Sequence, residues 1–323
     1  MNAVQVRLER AGETESVHEV HAAVLAGGEL ETWGTADVTP FWRSAMKPFQ
    51  ALPFVRDGVL DDLGLADREL AVACASHHGM PEHVEAVGRI LGAAGIDASA
   101  LACGPHRPLD EGAARALDER GRLPERIHNN CSGKHAAMLA SAIAAGVPTE
   151  GYQGLGHPIQ QRIRRVLEEW LDLDVDALVW GVDGCGVPTP RLPLPEIAAA
   201  YDRFVRSREP AVVAVATAMR ANPTMVSGPT ALSAAVMSAT AGRVLAKEGA
   251  EGVFCAGDPV RGWAAAFKVR DGAMRALGPS VVHVLGRFGA LDDEEVGRLA
   301  AFAEVRVTNT RDEAVAALVA GAT

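Results

Sequence analysis

The chain has 323 residues, of which 48% are hydrophobic and 22% charged, and a formal net charge of -10. That length buries a sizeable core in one large domain or two modest ones, and the composition excludes a disordered or fibrous chain. The acidic balance, without any clustered Lys/Arg run, argues against nucleic acid as a partner.

The stretch Gln161–Arg165, QRIRR, runs directly into VLEEW and reads as a mixed-charge helix face. No segment approaches the roughly 20 apolar residues of a membrane helix, and the opening MNAVQVRLERAGETESVHEV lacks the apolar core of a secretory signal. Five cysteines, an odd number and widely spaced, favour reduced thiols over a disulfide framework. The expected compartment is the cytoplasm, with no membrane partner.

In chain order, VQVRLER and EVHAAVLA alternate or run apolar and predict strands, punctuated by Gly27-Gly28 before ELETWG. A helix is expected from near Arg43, with Pro48 in its first turns, where a missing N–H does least harm. LAVACAS predicts a short buried strand. PEHVEAVGRILGAAGI predicts an amphipathic helix, GKHAAMLASAIAAG a buried one, and HPIQQRIRRVLEEWLDL a third with Ile159, Ile163, Val166, Leu167 and Trp170 inward. ALVWGVDGCGVPTP reads as a buried strand entering a Gly/Pro turn. Ala-rich helices follow over 196–241, then RVLAKEG, GVFCAG and GWAAAFKVRDG as antiparallel strands. A helix (Asp292–Phe302), a strand (Glu304–Val307) and a last helix (Arg311–Ala320) close the chain. Strands at both ends around a helical centre predict an α+β fold whose antiparallel sheet joins N- and C-terminal segments. A single domain spanning 1–323 is expected, its sheet portion about 1–75 and 242–323 and its helical portion about 76–241.

Four constellations carry chemistry. In Ser44-Ala45-Met46-Lys47, helical spacing puts the lysine amine within reach of the serine hydroxyl, and a neutral amine can take its proton. Four residues alone fit an N-capping serine with a solvated lysine better. Cys74-Ala75-Ser76-His77-His78-Gly79 places Ser76 where a chain segment ends before glycine, with histidines as possible acids or bases, though a polar turn has the same composition. Asn129-Asn130-Cys131-Ser132-Gly133-Lys134-His135 opens the buried helix with Cys131, Lys134 and His135 on one face. With Cys185 of Asp183-Gly184-Cys185-Gly186, two thiolates and a nitrogen suit Zn²⁺. His135 is the usual type of nitrogen ligand, and capped, inert cysteines are the alternative. Last, Lys247 opens a Lys-Glu-Gly element at a strand, with Lys268 on the following strand competing for the same role.

In this order, RSAMKPFQAL, CASHHGMPEHV, NNCSGKHAAML, GVDGCGVP and AKEGAEGVFCAG resemble the asparaginase II family of rhizobial-type L-asparaginases, as does the opening VRLERAGETESVHEVHAAV. The resemblance runs from about residue 4 to about residue 275. It implies a fold like the serine β-lactamases and penicillin-binding proteins, and hydrolysis of the L-asparagine side-chain amide. It pairs Ser44 with Lys47 and Ser76 with Lys247, and sets Arg43, Asn130, Asp183 and His135 about the substrate. It also implies zinc on Cys131, Lys134 and Cys185, orienting substrate rather than activating water, and a homodimer. A glutaminase or another amidohydrolase on the same fold is the nearest rival, and a non-catalytic zinc or small-molecule sensor a rival of another class. Family members carry a His-Pro pair followed by an Arg-containing Gly-rich stretch. Here residues 221–231 read ANPTMVSGPTA, with neither.

Overall fold

A computed structural model describes residues 1–321. Its strands are, in chain order, β1 (Val4–Arg10), β2 (Glu13–Ala26), β3 (Glu29–Trp33), β4 (Trp180–Val182), β5 (Pro188–Pro190), β6 (Leu245–Gly249), β7 (Val253–Asp258), β8 (Trp263–Val269), β9 (Glu304–Thr308) and β10 (Ala314–Gly321). The chain divides into two compact units, one formed by Met1–Ala45, Leu192–Arg206 and residues 235 onward, the other by Met46–Arg191 and Ser207–Ala234.

The first unit is built on one antiparallel sheet in the order β6-β7-β8-β2-β1-β10-β9, with β3 also on β2. Alternation in β1 buries Val4, Val6 and Leu8 and leaves Gln5 and Arg7 partly exposed, as a half-buried strand requires. Because β1 pairs with β10, the two ends of the chain share one sheet. The helix Leu194–Arg206 turns Leu194, Ile197, Ala198, Tyr201 and Phe204 inward and packs on β2, β7 and β8. Gly257 of β7 admits that helix: a Cβ there would meet Val205 Cγ1 at 2.8 Å. The α+β class and the antiparallel sheet from both chain ends are therefore observed.

The second unit is helical apart from the short β4–β5 hairpin. Its centre is the helix Ser132–Ala144, buried from Ser132 to Ala142. Gly133 sets how close that helix comes to its neighbour, since a Cβ would lie 2.1 Å from the Val72 carbonyl oxygen. The helices Pro81–Ala93 and Pro158–Trp170 form as their patterns predict, each with Pro in the first turn. In the latter, Ile159, Ile163, Val166, Leu167 and Trp170 are all buried.

Three local expectations fail. LAVACAS lies in and just beyond the helix Asp67–Ala73, whose first turn is closed by Glu69 accepting the Ala66 N–H at 3.0 Å. It packs against helices on several sides, so its apolar run is continuous for tertiary reasons and carries no period. Arg311–Ala320 is mostly strand: β10 pairs with both β1 and β9, and that pairing overrides the helical preference of its alanines. The segment around Trp180 is a three-residue strand, not a buried one, with Val182 77% exposed. No helix among the described residues is long and apolar enough to cross a membrane.

Candidate active site

In the first unit, Ser44 lies on the 3₁₀ turn Arg43–Met46. Arg43 enters that turn at φ +55°, a left-handed conformation uncommon for a side-chain-bearing residue. The buried Tyr201 hydroxyl donates to the Ala45 carbonyl at 2.6 Å. At the end of β6, a Cβ on Gly249 would come within 3.3 Å of Ser44 N and 3.2 Å of both Ala45 N and Arg43 Cβ. Glycine thus lets the strand close on the turn. Two residues earlier on β6, Lys247 is fully buried and donates to the Glu248 carbonyl at 2.8 Å. Lys268 donates to the Glu251 and Val269 carbonyls and is only partly buried, with burial lowering its pKa.

In the second unit, Lys47 is fully buried at the start of the helix Lys47–Gln50. Its Nζ reaches three partners: the Ala75 carbonyl, Ser76 Oγ at 3.1 Å and Cys131 Sγ at 3.2 Å. The loop bearing Ser76 is fixed from both sides, because Ser76 N–H donates to Val226 O at 2.9 Å and His77 N–H to Asn130 O at 3.0 Å.

The two histidines differ in role. Ser132 Oγ donates to Ile127 O at 2.8 Å, so it accepts from His77 Nε2 at 2.8 Å, while His77 Nδ1 accepts the Gly79 N–H at 3.1 Å. Burial drives the His77 pKa well below the ordinary value, so the ring is neutral and fully bonded, a brace for the loop. Its ring stacks on His83, which donates to Thr224 O at 2.9 Å, and the His78 ring lies where a Cβ on Gly228 would fall. The segment that departs from the family pattern therefore packs directly on the Ser76–His83 stretch.

A sulfur–amine cluster adjoins Lys47. Cys131 caps the buried helix, and Cys185 sits in the turn between β4 and β5, closed by Gly186 N–H donating to Asp183 O at 2.8 Å. Lys134 Nζ lies 3.1 Å from Cys185 Sγ. The bond from Cys131, reinforced by the Lys134 charge, holds the Cys185 sulfur far below the usual thiol range against its burial. The same bond, with burial, pushes Cys131 up. Burial alone would strip the charge from Lys134, but the Cys185 and Cys131 sulfurs and Asp183 outweigh it and raise its pKa.

His135 turns elsewhere. Tyr152 OH accepts the Ala102 N–H at 2.8 Å, so its own proton goes to His135 Nδ1 at 2.6 Å, and burial lowers the His135 pKa to about 3. Of the two nitrogen candidates, Lys134 is on the sulfurs and His135 is on Tyr152.

Each unit thus gathers part of the expected set. Ser44, Arg43 and Lys247 belong to the first; Lys47, Ser76, Asn130, Cys131, Lys134, His135, Asp183 and Cys185 belong to the second. Asn130 contributes its backbone carbonyl. The neighbouring Asn129 side chain does the capping, accepting the Cys131 N–H at 2.9 Å and donating to Gly104 O at 2.8 Å. Sequence reasoning missed Asn129 and Tyr152. An Asn ahead of a helix is a recognisable Asx-turn signal for the first, but nothing local marks Tyr152, whose partners are distant in sequence.

A buried amine on a serine hydroxyl is the equipment of acyl-transfer hydrolases. The L-asparaginase II family matches residues 6–320, nearly the whole chain, and the chain belongs to that family. It is thereby an amidohydrolase of asparaginase type. Among solved structures it is similar to a candidate beta-lactamase from Bacteroides dorei DSM 17855, at 16% identity and a TM-score of 0.41, covering 77% of this chain and 84% of that one. No curated protein sequence matches the chain.

Proposed function

We propose that the protein hydrolyses the side-chain amide of L-asparagine to L-aspartate and ammonia, with Ser76 as nucleophile and Lys47 as its base. The observation that carries this reading is the 3.1 Å hydrogen bond between the buried Lys47 amine and Ser76 Oγ. The family resemblance pairs Lys47 with Ser44 and Ser76 with Lys247. As the neutral amine, Lys47 takes the hydroxyl proton as Ser76 attacks the amide carbon, and returns it to the departing ammonia. Water then releases aspartate from the acyl-enzyme. The Ser76 N–H is already given to Val226 O, so the oxyanion takes its donors from other groups. Ser44 and Lys247, both in the first unit, are the other serine and lysine that the family resemblance implies for the reaction.

The residues present also fit zinc. Two adjoining sulfurs and an amine are a borderline-soft donor set, and Cys185 is held as the thiolate such a metal needs. Cys131, Cys185 and Lys134 would hold the ion, with Lys134 giving up its proton. Bound there, zinc would orient and polarise the substrate carboxylate or amide.

Ammonia release from L-asparagine and L-glutamine, compared for the native chain, Ser76→Ala and Ser44→Ala, tests the reading. Asparagine turnover lost by roughly 10³-fold or more in Ser76→Ala supports it. Full turnover in Ser76→Ala, with loss confined to Ser44→Ala, transfers the nucleophile to Ser44. Preference for glutamine in the native chain overturns the substrate assignment.

A further inference from the structure

The first unit holds a cavity that involves neither the serines nor the lysines described above. It measures about 300 Å³ and is bounded by Ala3 and Val4 at the entry to β1, Trp33 at the end of β3, and His283 and Arg287 on the helix Leu277–Arg287. Its walls are tied together: Gly34 N–H donates to Met1 O at 2.9 Å, and Phe288 meets the Trp33 ring edge-on with centroids 6.3 Å apart. His283 and Arg287, four residues apart, share one face of their helix. Among the described residues neither side chain makes a hydrogen bond or an ion pair. Other arginines of the unit are matched: Arg243 and Arg261 both reach Glu295, and Arg270 reaches Glu19. The helix dipole favours a cation in a last turn, which accounts for an arginine at 287 but leaves its N–H donors without an acceptor. Among the described residues that line the cavity none is acidic, and Arg287 is the one charged side chain. Burial, with the Arg287 charge adding to it, lowers the His283 pKa, so at neutral pH that ring is uncharged and offers one N–H.

We propose that this cavity is an accessory binding site for a small carboxylate with an aromatic body. Arg287 takes the carboxylate through two parallel N–H groups, the pairing that its planar fork suits. His283, on the same wall, adds a further N–H donor. Trp33 and Val4 supply the apolar wall against which a ring is buried, and Phe288 holds the indole in place before any ligand arrives. Size sets the upper limit. Small-molecule sites run from about 300 to 1,000 Å³, so this one holds a single ring with a short acidic arm and excludes a nucleotide. A neutral ligand leaves the guanidinium unmatched, and a dicarboxylate sets its second charge against the apolar wall, so both bind less well. The site uses no residue of the serine–lysine or sulfur–amine groups and does not rest on the function proposed above.

The experiment labels the full chain with 5-fluorotryptophan and follows its five fluorine resonances as phenylacetate is added. The Trp33 signal is assigned by its loss in Trp33→Phe. The expected result is a progressive shift of that signal, saturating with a Kd of roughly a millimolar or tighter. Acetate, which lacks the ring, and 2-phenylethanol, which lacks the charge, should each bind about tenfold or more weakly. Arg287→Gln, a change at an exposed side chain, should weaken phenylacetate by about tenfold or more, and Arg287→Lys, which keeps the charge but not the fork, by less. Isothermal titration calorimetry on unlabelled protein should return the same order of affinities. A Trp33 signal that does not move overturns the proposal, and so does undiminished affinity in Arg287→Gln. Binding of 2-phenylethanol equal to that of phenylacetate overturns the carboxylate assignment, and equal binding of acetate overturns the aromatic one. None of these readouts requires amide hydrolysis. A native chain silent on asparagine thus removes the functional reading alone, and an active chain whose Trp33 signal stays fixed removes only this one.

Discussion

Gly133→Ala sets two opposing effects against each other at the base of the helix Ser132–Ala144. Helix propensity favours alanine by about 1 kcal/mol. Against it, the new Cβ would sit 2.1 Å from the Val72 carbonyl oxygen and 2.7 Å from its carbon, where ordinary contact begins near 3.4 Å. The obstacle is backbone and cannot rotate away, so the two helices must part by more than an ångström. Overpacking of this kind costs about 1–3 kcal/mol, and a rigid obstacle puts it at the upper end. The net expectation is destabilisation by about 2 kcal/mol, lowering the urea midpoint by roughly 0.5–1 M for typical slopes. Gly92→Ala is the control, since it lies in the helix Pro81–Ala93 and a Cβ there meets nothing within 4 Å. It should raise the midpoint by the propensity term alone. Urea unfolding followed by circular dichroism reads both. If Gly133→Ala is as stable as the native chain or more so, the close approach that places Cys131 and Lys134 is wrong.

The buried histidines make stability pH-dependent with a defined sign. His77 and His135 have folded pKa values depressed by burial, that of His135 to about 3. The unfolded chain therefore takes up protons first, and their contribution, complete above about pH 6.5, is lost as pH falls toward 3. The decline approaches about 1.4 kcal/mol per pH unit for each ring. Urea midpoints at pH 7.5, 6 and 4.5 should fall accordingly, and more shallowly in His77→Gln; an unchanged slope in that variant contradicts the assignment. Tyr201→Phe strips the Ala45 carbonyl of its 2.6 Å donor, and should cost about 1–2 kcal/mol in thermal or urea unfolding. It should also reduce asparagine turnover through the Ser44 turn; a variant with native stability would mean the hydroxyl contributes nothing there.

Much of this molecule was legible in the sequence, for identifiable reasons. Strands that alternate, such as β1, and helices with one apolar stripe, such as Pro158–Trp170, declare themselves because one face meets solvent. The misread segments have no such contrast. Asp67–Ala73 is buried on most sides, and the alanines of β10 fit helix or strand until β1 and β9 decide. The site divides in the same way. Spacing singled out Ser44 with Lys47 and Cys131 with Lys134 as candidates, and glycines at 133 and 249 are understood once the close approaches are seen. Spacing could not show Lys47 meeting Ser76 and Cys131, nor His135 turned to Tyr152, because those contacts join segments far apart in the chain.

The pairing of β1 with β10 also governs the order in which the molecule can be completed. As the chain leaves the ribosome, β1 emerges well before β10 and must wait, with one edge unfilled, until β10 has been made. Most of the helical unit, by contrast, is one continuous stretch from Met46 to Arg191 and can organise during that interval. The waiting edge presents the unpaired backbone N–H and C=O groups that β10 will take up, a template open to any extended peptide nearby. Loss of β10 therefore leaves not a shortened sheet but a sticky one, and the vulnerable period of synthesis is the interval between the two strands.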